Sequence, residues 1–96
     1  MRRRANRDKI HNGIVHVLLS LGATVQDLAD VGSGCPDVLV GYGGRNYLFE
    51  FKTPGGYTKA GTKSRQDEWH GAWRGNVNIV TSLEEALLIL GIKEIV

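Results

Sequence analysis

A glycine pair, Gly43-Gly44, stands between two short runs rich in valine, tyrosine and phenylalanine, and it restricts this chain more than any other feature. Residues 38–42 and 46–52 have the composition of strands. A two-residue link of two glycines suits the primed turns whose twist matches that of a hairpin. In such a turn Tyr42 faces Arg45, and the numbers of every facing pair sum to 87. Asp37 and Glu50 then become cross-strand neighbours, with Cβ atoms roughly 4.5–5.5 Å apart. Lys52 lies two positions beyond Glu50, so the two project from one face. The other face, with Tyr47, Phe49 and Phe51, has the character of a packing surface.

Three charged groups therefore meet on a small area of a hairpin. Like charges facing each other are destabilising unless something neutralises them. Two carboxylates at this separation can share a hard divalent cation such as Mg²⁺, which takes oxygen ligands and keeps several waters. Metal-bound water is a usable nucleophile, and the cation offsets charge building on a phosphodiester. Lys52 would orient that water or stand beside the phosphate as a point charge. Taken singly, an Asp after Pro is an ordinary turn residue and Glu-x-Lys an ordinary solvated strand face; the shared register makes them a site.

The rest of the chain reads as one small α/β domain spanning 1–96, with residues 1–5 a flexible basic terminus. Hydrophobic content of 42% with 23% charge is globular rather than disordered. So short a chain buries only a modest core, and dimerisation would supplement it. Ile10, Ile14, Val17, Leu18 and Leu21 repeat at helical spacing, with Gly22 placed to end the helix. Residues 24–29 are a weak strand, 64–74 a helix, and 77–81 a strand. Ser82 and Glu85 form a capping box for a last helix ending near Gly91. The predicted order is α-β-β-β-α-β-α, a mixed sheet flanked by helices. The strand–helix–strand passage from 46 to 81 implies a right-handed parallel crossover.

Charge is unevenly spread around a net +2. Residues 1–9 carry +4, residues 10–51 carry −3, residues 52–74 carry +3, and the tail carries −2. Basic blocks flanking an acidic one suit a polyanion partner, although Arg2, Arg3 and Arg4 also read as a solvated terminus. Cys35 is the single cysteine, which rules out an intrachain disulfide and a Cys-based zinc cluster. No signal peptide or membrane-length apolar run is present, so the expected location is cytoplasmic.

Pro36-Asp37, twelve intervening residues and then Glu50-Phe51-Lys52 resemble the PD-(D/E)xK nuclease superfamily. With QDEWHGAWRG downstream and the Ser-x-x-Glu helix, residues 5–91 look like the small stand-alone VRR-NUC-type nucleases of bacteria and phages. The resemblance implies a restriction-endonuclease-like core. It also implies a Mg²⁺- or Mn²⁺-dependent hydrolase cutting DNA phosphodiesters, a structure-specific endonuclease acting as a homodimer on branched, Holliday-junction-like DNA. By the same resemblance Asp37, Glu50 and the Phe51 backbone carbonyl hold metal, Lys52 assists the nucleophile, and Gln66 stands near the site. The family expects a further acidic residue on the first helix, usually Glu. This chain offers only Asp8, shorter and out of phase. That departure motivates the alternative of a catalytically silent DNA-binding module; RNA cleavage on the same scaffold is a third option.

Gly56 to Ser64 nearly spells a phosphate-binding P-loop but has one residue too many before Lys63. Lys59, Lys63 and Arg65 are better read as backbone phosphate contacts, as are Arg2, Arg3 and Arg4. Trp69 and Trp73 share a helix face with Gln66 and His70. Packing against the sheet is their expected role, with base stacking or a dimer contact as the alternative. His70 is expected to be satisfied structurally, and nothing is assigned to His11 and His16.

Overall fold

A computed structural model describes residues 5–53 and 65–93, with side-chain placement described from His11 onward. Arg2, Arg3, Arg4, Lys59, Lys63, the glycine-rich loop and its P-loop-like stretch lie outside the described residues. So does the side chain of Asp8. The first helix, α1, runs Ala5–Ser20, reaching into the segment expected as a flexible terminus. Strands β1 (Thr24–Asp27), β2 (Val38–Tyr42) and β3 (Arg45–Phe51) follow, then α2 (Arg65–Ala72), β4 (Asn78–Val80) and α3 (Leu83–Leu90).

The sheet order is β1-β2-β3-β4, antiparallel except for the parallel β3–β4 pair. Gly43 and Gly44 both take left-handed φ, 59° and 82°, which a two-residue primed turn requires of its central positions. Tyr42 pairs with Arg45, and the register holds through Val40 with Tyr47 to Val38 with Phe49. Helix α2 is the crossover that lets β4 lie parallel to β3.

Period-two alternation sends Val38, Val40, Phe49, Phe51 and Val80 to one face, and all five are buried there. Ile14 and Leu18 of α1 and Ala86, Leu87 and Leu90 of α3 complete that core. Each large side chain so buried contributes about 1.5–3 kcal/mol of transfer free energy. Helix α3 is closed at both ends. The Ser82 hydroxyl accepts from the Glu85 N–H at 3.2 Å, and Gly91 forms a left-handed C-cap. The reciprocal half of the predicted capping box is displaced by one residue. The Glu85 carboxylate accepts from the Thr81 N–H at 2.7 Å and the Thr81 hydroxyl at 2.9 Å. Among the described residues no helix is long and apolar enough to cross a membrane.

Two expectations are corrected. The tryptophans do not join the core on the sheet: no α2 residue is fully buried, and Trp69 is only half-buried. Trp69 and Trp73 instead stack on each other, ring centroids 4.5 Å apart at 16°, and Trp73 is 45% exposed. The second concerns Asp37. Regular pairing stops at Val38, and the Asp37 N–H donates to the Phe49 carbonyl at 3.0 Å, so its backbone is not set square against Glu50. The chain enters β2 slightly out of step, as at a bulge.

Candidate active site

Asp37 brackets Glu50. Its backbone is tied to Phe49, while its carboxylate Oδ2 accepts from the Phe51 N–H at 2.8 Å. Asp37 is thus held against the 49–51 segment by another route: a side chain takes the place of a ladder partner. Pro36 favours this arrangement, since it has no N–H to offer the ladder and biases Cys35 toward an extended conformation. Both carboxylates are withdrawn from water, Asp37 at 4% and Glu50 at 1% exposure. Acids are almost never this buried unless partnered.

Helix α2 supplies the next partner. Gln66 donates from Nε2 to Glu50 Oε2 at 2.5 Å, and its Oε1 accepts from Lys52 Nζ at 3.0 Å. One amide therefore spans the acid and the base of the Glu-x-Lys alternation, matching a donor to the carboxylate and an acceptor to the ammonium. Glu50 and Lys52 lie on the face opposite Phe49 and Phe51, the face on which α2 docks through Gln66.

Gly34 makes that docking possible. At φ 84° it lies in left-handed space, and a Cβ there would collide with the Arg65 carbonyl. The bare backbone lets the first turn of α2 settle directly on the loop before β2.

Two neighbours report the local field. Burial pushes the Cys35 thiol up, and the Glu50 and Asp37 carboxylates push it further. A spot that both acids make hostile to an extra negative charge attracts a cation. Burial and then the charge of Lys52 push the His70 imidazole down, against an upward pull from Asp67. His70 follows Gln66 by one helical turn on the same face, and its Nε2 is buried without a hydrogen-bond partner. His70 is thus not satisfied as expected. On the far face His11 lies against Phe51, ring centroids 4.8 Å apart.

The donor set fits a hard divalent ion: two buried carboxylates that both act on Cys35, with the Phe51 carbonyl between Glu50 and Lys52 in the chain. Among the described residues no cluster of three or more His, Cys, Asp or Glu forms a larger cage. Two acidic side chains, the number the described residues bring here, suit an ion that keeps several waters. The structure brings together Asp37, Glu50, Lys52 and Gln66, and leaves Arg65 exposed at the rim. Sequence reasoning passed over Cys35 and the 29–35 loop, whose only signal was the unusual run Gly32-Ser33-Gly34 before Pro36.

No protein-family profile, no curated protein and no solved structure matches this chain.

Proposed function

We propose that the chain is a metal-dependent endonuclease of the PD-(D/E)xK kind with a restriction-endonuclease-like core, hydrolysing DNA phosphodiesters at branched sites. The observation that carries this reading is the chain of contacts Asp37–Phe51 N–H and Glu50–Gln66–Lys52, two buried acids and a half-buried ammonium held by directed hydrogen bonds. An ion pair alone would not need this shielding from water, and burying it costs free energy that function must justify.

Asp37, Glu50 and the Phe51 carbonyl would hold Mg²⁺ or Mn²⁺; when bound, the ion supplies an activated water and neutralises charge on the phosphate. Lys52 would hold its ammonium beside the attacking water or a phosphate oxygen. Gln66 fixes the direction of both the Glu50 carboxylate and the Lys52 ammonium, so neither group reorganises during the reaction. A homodimer would present one such site to each of two strands.

The test is incubation of the protein with labelled duplex, single-stranded and four-way-junction DNA, in Mg²⁺, Mn²⁺ or EDTA. Cleavage is expected in either metal and absent in EDTA. Lys52→Ala should reduce the rate about 10²–10⁴-fold while retaining DNA binding. DNA bound without cleavage in either metal would replace the enzyme with the silent binding module.

A further inference from the structure

Two concavities meet at Arg65. One, of about 330 Å³, opens on Asp37, Cys35 and Gln66, with Gly34 behind them. The other, of about 480 Å³, is walled by Ser33, Arg65, Glu68 and Trp69. Ser33 and Gly34 are adjacent in the chain and Arg65 borders both spaces. Together they make one groove between the 29–35 loop and α2, starting at the acidic site. Each volume lies in the range of ligand-sized sites.

The chemistry changes along this groove in a definite order. The Asp37 carboxylate comes first, then the guanidinium of Arg65, then the indole of Trp69 beside Glu68. Arg65 and Trp69 are four residues apart, so they share a helix face and are separated by about 6 Å along the axis. The indole is only half-buried and takes no part in the hydrophobic core. It is stacked against Trp73, which stiffens it into a flat platform. Glu68 would repel a phosphate at the far end, but not a base or a sugar.

We propose that the groove is a subsite for one unpaired nucleotide beside the scissile phosphate, with Arg65 on its phosphate and Trp69 stacked on its base. This rests on the phosphodiester reading of the acidic site. Arginine meets a phosphate with a planar fork of donors. Base–indole stacking requires a base whose face is not occupied by its neighbours, so the groove selects single-stranded character over continuous duplex. The unpaired residues at a branch point meet that condition.

Binding in EDTA isolates this subsite from catalysis. The probe is a short single-stranded oligonucleotide, followed by anisotropy and by quenching of tryptophan fluorescence. Trp73→Phe leaves Trp69 as the sole tryptophan while keeping an aromatic partner. The signal should be quenched by the single strand and far less by matched duplex. Trp69→Leu should weaken single-strand binding about 5- to 150-fold, with Trp69→Phe restoring most of it. Arg65→Gln should weaken binding and flatten its salt dependence by about one unit of slope. Circular dichroism and urea denaturation check that each variant folds. Single-strand affinity unchanged in both Trp69→Leu and Arg65→Gln overturns the subsite. Cleavage by the wild type alongside that result leaves hydrolysis standing without it. Binding that depends on Trp69 and Arg65, with no cleavage in Mg²⁺ or Mn²⁺, keeps the subsite and removes the hydrolytic reading.

Discussion

Helices α2 and α3 each have eight residues, yet they are held by opposite means. Helix α3 buries Ala86, Leu87 and Leu90 and is capped at both ends, so packing and capping together fix it. Helix α2 has no fully buried residue and is tied down at its first turn, by Gln66 on Glu50 and Lys52 and by the bare backbone of Gly34. Helical stability in proteins comes mostly from an apolar face against a core. A helix without one, whose main described anchor is a catalytic-looking amide, belongs to the site rather than to the scaffold. Substitutions in α3 should therefore act on stability and those in α2 on function.

The widest separation is expected between Leu87 and Trp73. Leu87→Ala leaves a cavity in the core and should cost about 2–5 kcal/mol in urea denaturation. Trp73→Ala removes a larger side chain from a 45% exposed position and should shift stability by only about 0.5 kcal/mol. If the two losses proved equal, α2 would be a core helix after all, and the site-based account of its placement would fall.

Gln66 comes next because it touches both sides of the comparison. Gln66→Ala removes a donor from a buried carboxylate and should cost about 1–3 kcal/mol. Its larger effect should be on turnover, about 10–100-fold, as for groups that orient metal-binding side chains. Single-turnover cleavage beside urea denaturation separates the two. Loss of stability with full turnover would reduce Gln66 to a structural tie.

The same contrast explains what could be read from the chain beforehand. The hairpin was legible because two consecutive glycines fix a turn, a turn fixes a register, and a period of two assigns faces. Asp37, Glu50, Lys52 and the core-facing Phe49 and Phe51 follow from local geometry. Gln66 came from the resemblance, and its bridging amide only from the fold. The tryptophans were misplaced for a definite reason. Helical spacing tells which side chains share a face, but not what lies opposite that face. The hydrogen bonds that Gln66 makes to the sheet lie in the first turn of α2, while Trp69 and Trp73 stack on each other. The Gly34–Arg65 contact joins residues far apart in sequence and depends on where the crossover lands. Nor could a register alone foresee Asp37 slipping back toward Phe49, since that rests on a side chain replacing a ladder bond.

The smallest effects are expected from pH, which should divide the two helices by window. In α2 the His70 imidazole is pushed down by burial and by Lys52. The unfolded chain therefore takes up a proton first as pH falls below the ordinary 6.5, and the folded state loses stability from there down to its own lower midpoint. In α3 the Glu85 carboxyl is pushed down by its hydrogen bonds from the Thr81 backbone and hydroxyl. Its contribution is complete above the ordinary 4.5 and is lost only as pH falls through the lower folded value. Stability curves of His70→Gln and Glu85→Gln against wild type should diverge in these separate ranges, and NMR titration should place each midpoint below its ordinary value. A His70 midpoint at or above 6.5 would mean that the imidazole is neither shielded by α2 nor within the field of Lys52. The face shared by Gln66 and His70 would then not be turned toward the acidic site, and the assignment of this helix to the site would rest on its first turn alone.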